Sequence, residues 1–442
     1  MSTAASATAA SMPVVGLPLR QRAWSWAARL AGDAMFRKSL LSIADQGVVS
    51  ATNFAITIIL SRLCGKPEVG LYYLALQVVF FSRGVQEQLI ASPYLVYGGR
   101  KQGSDAARYA GSTIAHEVVL LASVSASMAI AAAYGGLSPE LSELLWLLVG
   151  AAPLMLIREF IRQFSFAQLK VAQVLALDCG VAALQLAALA VAAYAGVLSA
   201  SLTYIVLAIG CGISAVIWLF LRRRTFTTQA SAIWPDWVHN WRFGRWALAS
   251  LLLGQTMPLI LPWIVAGTHG EASAATYGVS ATLIGFANMY VLGLSNFICP
   301  RAAQAYASGG SRELVSVLKQ AVLMHLGALI PFALSMLIAG QTLMAFVYGP
   351  TFADAGPIIA ILAFGAIANS LGIVAGNGLW AMELPSANFR GDVCAMLTWI
   401  AATASLVPMH GPVGAAAAST IGMAVGAMVR GTVLISELYR RR

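Results

Sequence analysis

Apolar residues run along this chain in stretches of about 20, the length an α-helix needs to cross a bilayer, separated by short polar segments. Twelve such spans are predicted, at 43–62, 70–95, 110–134, 139–162, 172–195, 198–221, 244–266, 274–299, 315–339, 355–381, 392–409 and 412–435. The segments between them alternate in charge. One side carries Arg100, Lys101, Arg108, Lys170, Arg222, Arg223, Arg224, Arg242, Arg245, Arg301, Arg312, Lys319, Arg390, Arg440, Arg441 and Arg442. The other carries only Arg62 and Lys66. Basic loops stay in the cytoplasm, so both termini are predicted there, as an even number of spans requires.

Within this pattern, Val78 to Pro93 stands out because Arg83 and Glu87 lie inside a spanning stretch. An ionisable side chain at such a place costs roughly 2.5–3.5 kcal/mol on insertion scales and faces a bundle interior or a wet cavity. Ser82, Arg83, Gln86 and Glu87 share one helical arc of about 140°. Arg83 and Glu87 stand at i and i+4, so the stripe reads either as an internal ion pair or as a solvated substrate or proton site. Span 1 has its own polar face, Gln46, Ser50, Asn53 and Thr57. These groups suit sugar hydroxyls, or equally neighbouring helices.

Composition agrees with a membrane protein: 59% hydrophobic, 10% charged, mean hydropathy +0.78. The net charge of +10 follows topology and does not point to nucleic acid. Five scattered cysteines form no metal spacing and read as small buried thiols. No phosphate-binding G-x-x-x-x-G-K-[ST] motif and no Ser/His/Asp set occurs, and the outer loops are short, which argues against an ATP-driven pump or a membrane enzyme.

The halves of the chain resemble each other. Tyr72–Pro93 has a counterpart in Tyr277–Pro300, and Asp178, Gly196 and Gly150 correspond to Asp392, Gly411 and Gly365 at offsets of 214 or 215. The expected fold is therefore all-α: twelve transmembrane helices in two six-helix lobes related by a pseudo-two-fold axis along the membrane normal. The boundaries are a tail at 1–42, with a basic amphipathic helix over 20–37 on the membrane face, an N-lobe at 43–221, a Trp-rich interfacial linker at 222–243, a C-lobe at 244–435 and a basic tail at 436–442.

The run SLLSIADQGVVSATNFAITIILSRLCGKPEVGLYYLA resembles the first two spans of the Wzx-type flippases, polysaccharide transporters of the MOP (MATE-like) superfamily. FGRWALAS, VYGPTFADAGPIIAILAFG and HGPVGAAAASTIG are similar to their later spans. This resemblance implies transfer of an undecaprenyl-diphosphate-linked oligosaccharide across a bacterial inner membrane by alternating access, alongside a polysaccharide polymerase. It implies no bound cofactor, the driving force being an ion gradient or the membrane potential. Arg83 is then the diphosphate contact in a central cavity shared with Glu87, Gln86, Gln46, Asn53, Thr57 and, in the second lobe, Asn288. Arg158 and Arg162 flank a cytoplasmic entrance, and Glu87, Asp45 and Asp178 are candidates for proton coupling. The competing expectations are a MATE-type cation-coupled exporter of small amphipathic molecules, for which Glu87 and Asp45 offer carboxylates, and, further off, a polysaccharide polymerase.

Overall fold

A computed structural model describes residues 34–222 and 226–441. Residues 20–33 of the expected amphipathic helix, and Arg223, Arg224 and Arg442, lie outside the described residues. Every regular element among the described residues is helical. In order these are α1 (Ala34–Leu63), α2 (Lys66–Gln86), α3 (Ser92–Tyr97), α4 (Gly103–Tyr134), α5 (Pro139–Ala167), α6 (Val171–Tyr194), α7 (Ala200–Arg222), α8 (Ala230–His269), α9 (Glu271–Tyr348), α10 (Gly356–Ala381) and α11 (Pro385–Arg440). Eight helical stretches among the described residues are long and apolar enough to cross a membrane.

Local chemistry sets the boundaries. Ser138 caps α5, its hydroxyl accepting from the Leu141 amide at 3.4 Å, with Pro139 in the first turn. The first turn of α7 is capped from another helix: Glu68 of α2 accepts from the Ala200 amide at 2.7 Å. α9 and α11 each turn back on themselves. α9 leaves helical geometry at Gly309 and Gly310, and α11 at Gly411. Gly196 and Gly411, paired in the sequence, both take positive φ, 70° and 54°. Side chains resist that conformation, so the fold places glycine where the chain must reverse.

Two features differ from the sequence reading. Residues 230–243, expected as an interfacial linker, are helical and continuous with the span that follows, forming the single helix α8 through Pro235, Pro258 and Pro262. Their polar face is used: Tyr109 donates to Asn240 at 2.8 Å and Arg108 pairs with Asp236 at 3.2 Å. Second, α2 does not run on as one α-helix. A π-helical turn, Glu87–Ala91, joins it to α3.

The core is divided in a way that bears on function. One large cluster draws on both halves: Leu60, Tyr72, Leu144 and Tyr204 from the first, Ala275, Tyr348 and Phe352 from the second. It lies at the end where the loops are poor in charge. At the basic-loop end there are separate clusters instead. Tyr94, Tyr109, Phe160, Phe164 and Trp218 pack in the first half, and Ile298, Leu314, Leu318, Leu379 and Leu434 in the second.

The join between halves is close at the charge-poor end. Tyr73 and Thr282 share a hydrogen bond of 2.7 Å, Ser138 donates to Glu271 at 3.0 Å and Lys66 pairs with Asp354 at 2.6 Å. Arg62 donates to the carbonyls of Val347 and Phe346. A β-carbon on Gly70 would stand 2.0 Å from the Glu271 carbonyl oxygen, and one on Gly278 2.5 Å from the Tyr73 ring, so glycine is what lets α2 and α9 approach. The two cations on the charge-poor side, Arg62 and Lys66, thus both act across the join.

Candidate functional site: a buried ionic network in the first half

α5 reverses into α6 through a turn at 168–170, which brings Arg162 of α5 and Asp178 of α6 side by side. Arg162 is 4% exposed and fans its guanidinium over three carboxylates. Its Nε donates to Asp178 Oδ2 at 2.5 Å, Nη2 to Asp45 Oδ2 at 2.7 Å, and Nη1 to Glu159 Oε2 at 3.0 Å. Arg158 adds a second guanidinium on Asp178, at 2.5 Å from Oδ1, and Arg83 reaches Glu159 Oε1 at 3.0 Å. Three arginines and three carboxylates from α1, α2, α5 and α6 therefore balance in charge. Such a cluster survives in a low-dielectric bundle only because each ion is matched and hydrogen-bonded.

The match is incomplete at its edges. Asp45 Oδ1 and Arg158 Nε are buried with no partner. Of the four buried carboxyl groups among the described residues, Glu117 alone has no guanidinium beside it. Its Oε1 accepts from Gln86 Nε2 at 2.6 Å, and its Oε2 is unpartnered. Arg83 is the open arm of the network, its side chain 37% exposed while Glu159, its partner, is 9% exposed.

The structure brings Arg83, Asp45, Arg158, Arg162 and Asp178 into one site, with Glu159 as the added member. It does not pair Arg83 with Glu87. Glu87 opens the π-helical turn, half-buried, and its carboxylate makes no hydrogen bond or ion pair among the described residues. Gln86 is turned inward, donating also to the Leu156 carbonyl at 2.8 Å. Arg158 and Arg162, expected beside an entrance, are turned onto Asp178. On α1, Gln46 and Asn53 are exposed and Ser50 half-buried, with Gln46 donating to Ser50 at 3.3 Å, whereas Thr57 is buried and donates to the Asn53 carbonyl. Asn288 is half-buried on α9. Glu159 and Glu117 are noticeable in the sequence, Glu159 three residues before Arg162 and Glu117 in the first half of an apolar helix, but local reading does not place them in the site. Among the described residues, no cluster of His, Cys, Asp and Glu is set to hold a metal ion.

With this geometry in hand, the chain was compared with known proteins. The inward-closed Lipid II flippase MurJ superposes with a TM-score of 0.73 at 13% identity, covering 91% of this chain and 89% of that one. The chain shares its fold with MurJ and with MOP-superfamily transporters. An inward-facing multidrug resistance MATE transporter of that superfamily gives a TM-score of 0.70 at 14% identity, over 90% of this chain and 98% of the other. A Pyrococcus furiosus MOP transporter with a binding pocket of reversed polarity gives 0.59 at 14% identity, over 91% and 95%. In sequence, the chain is 22% identical over 166 residues to the probable low-salt glycan biosynthesis flippase Agl15 of Haloferax volcanii. That match covers 38% of this chain and about a third, 35%, of the relative. No family model matches. The chain is a multi-pass membrane protein whose likeness is to transporters and flippases.

Proposed function

We propose that this protein is a flippase that moves undecaprenyl-diphosphate-linked oligosaccharide units across a bacterial inner membrane by alternating access. The observation that carries the reading is Arg83, a guanidinium on a neutral, buried ionic base, with its outer face free for an anion. Diphosphate oxygens accept charge-assisted hydrogen bonds well from such a group. The exposed amides of Gln46 and Asn53, with the half-buried Ser50 hydroxyl between them, suit the sugars. The separate cores at the basic-loop end, against the shared core at the other, suit a carrier that is open toward the cytoplasm.

Counting the joined α2 and α3 once, and the two limbs of α9 and of α11 separately, gives twelve passages, six in each half. The left-handed turn glycines Gly136 and Gly349, and Gly196 and Gly411, recur at similar offsets. Both features support a two-lobe repeat. Agl15 and MurJ, by their names a glycan-biosynthesis flippase and a Lipid II flippase, support the cargo class. A MATE-type exporter is the second reading, favoured by the near-full coverage of the MATE neighbour and by the Glu87 carboxylate, which has no partner among the described residues.

The test is a deletion strain in which lipid-linked oligosaccharide is extracted from the inner membrane. Completed units held on the carrier and protected from periplasmic enzymes, restored to the surface by wild type but not by Arg83→Ala, uphold the flippase reading. Units that reach the outer leaflet in the deletion strain refute it.

A further inference from the structure

On the face of the first half away from the ionic network, α6 and α7 leave a groove of about 730 Å³. Its walls are apolar: Leu177 and Leu184 from α6, Ile213 and Ile217 from α7, with Gly180 leaving open space between Leu177 and Leu184. Leu184, Ile213 and Ile217 are 43%, 46% and 55% exposed, so the groove is open along its side. One end is different. Arg222 lines it and donates to Gln173 at 2.6 Å, and Lys170 precedes the first turn of α6 beside it. Neither cation has a carboxylate partner among the described residues; Lys170 donates only to Gln168, at 2.5 Å. Partial burial, with the Arg222 charge nearby, pushes the Lys170 ammonium below its ordinary range, as expected for two like charges held together with no counter-ion. In the sequence Arg223 and Arg224 follow.

We propose that this groove is a binding site for one anionic glycerophospholipid of the basic-loop leaflet, its acyl chain between α6 and α7 and its phosphate against Lys170 and Arg222. Charge complementarity selects the head group, since an uncompensated basic pair at headgroup level attracts anionic lipid. Length selects the tail. Gln173 to Leu184 spans about 16 Å of helix, close to the roughly 15 Å hydrocarbon depth of a single leaflet. An acyl chain fills that depth, whereas a long polyprenyl chain overruns it. The site is distinct from the ionic network: α6 turns Asp178 toward Arg162 and Gly180 toward the groove.

The test is native mass spectrometry of the full chain, purified into micelles doped with equal amounts of dioleoyl phosphatidylglycerol and dioleoyl phosphatidylcholine. Wild type is expected to retain phosphatidylglycerol in preference. Lys170→Gln and Arg222→Gln should each cut that preference about fivefold, the effect of one basic residue near a membrane surface. Gly180→Leu should abolish retention of both lipids with an unchanged melting temperature, because a β-carbon there meets open space. Equal retention of the two lipids by wild type overturns the proposal. So does a Gly180→Leu variant that holds lipid as wild type does, or displacement of the bound phosphatidylglycerol by added undecaprenyl phosphate, which would make the groove a carrier-lipid site.

Discussion

Replacing Arg162 by Gln removes the hub of the ionic network, and the structure says which carboxylate suffers. Asp178 keeps Arg158 at 2.5 Å and Glu159 keeps Arg83 at 3.0 Å. Asp45 keeps no cation: its Oδ2 loses Arg162, and its Oδ1 is already unpartnered. The expected loss is therefore that of one stranded buried charge, about 3–5 kcal/mol, and not three times that. A second substitution tests the attribution. Asp45→Asn in the Arg162→Gln background removes the stranded charge and should recover about 1–3 kcal/mol, the scale of coupling between contacting groups. Asp178→Asn in the same background should recover less, because it also strips Arg158 of its partner. Melting of the detergent-purified protein, followed by tryptophan fluorescence, ranks the variants. If Arg162→Gln melts with wild type, or if Asp178→Asn is the better rescue, the network does not hold the helices as described.

Other substitutions probe the joins. Gly278→Val places a β-carbon within 2.5 Å of the Tyr73 ring and should destabilise the charge-poor end by about 1–3 kcal/mol, seen as faster labelling of a cysteine placed at Thr282. Lys66→Ala should change the melting temperature little, since Asp354 is 60% exposed and such pairs contribute about 0–1 kcal/mol. Tyr109→Phe leaves the buried Asn240 Oδ1 without its donor and should cost about 1–3 kcal/mol, read by the same melting assay.

Much of the fold was legible because lipid is an unforgiving solvent: apolar length marked α1 and α4 to α7, and the reversals near Gly309 and Gly411 fell between expected spans. The ionic network was legible only as a set of suspects. Asp45, Arg83, Arg158, Arg162 and Asp178 were each noticed, but their grouping is tertiary, and local spacing misled. Arg83 and Glu87 stand one α-helical turn apart, yet a carboxylate on α5 offered Arg83 a better-buried partner, and a π-helical turn begins at Glu87 itself. No periodicity announces such a turn. The helix at 230–243 was hidden in a similar way: its tryptophans and arginines read as a surface strip, whereas Asn240 and Asp236 find partners on α4.

The shared core at one end and the paired cores at the other give this molecule a resting direction. To open the charge-poor end, the protein must pull apart a single apolar mass and wet it, at about 25 cal/mol for each Å² exposed. At the basic-loop end the two clusters are separate, with α8 packed against the first of them, so bringing them together would break no shared core of that size. If the protein is the alternating-access carrier proposed above, its empty form is expected to face the side with the basic loops, and turning from 1:99 to 99:1 in favour of the other state would take about 5.5 kcal/mol of differential binding or coupled ion movement. On this view cargo does work twice, once by being recognised and once by making the less comfortable shape the lower one in energy.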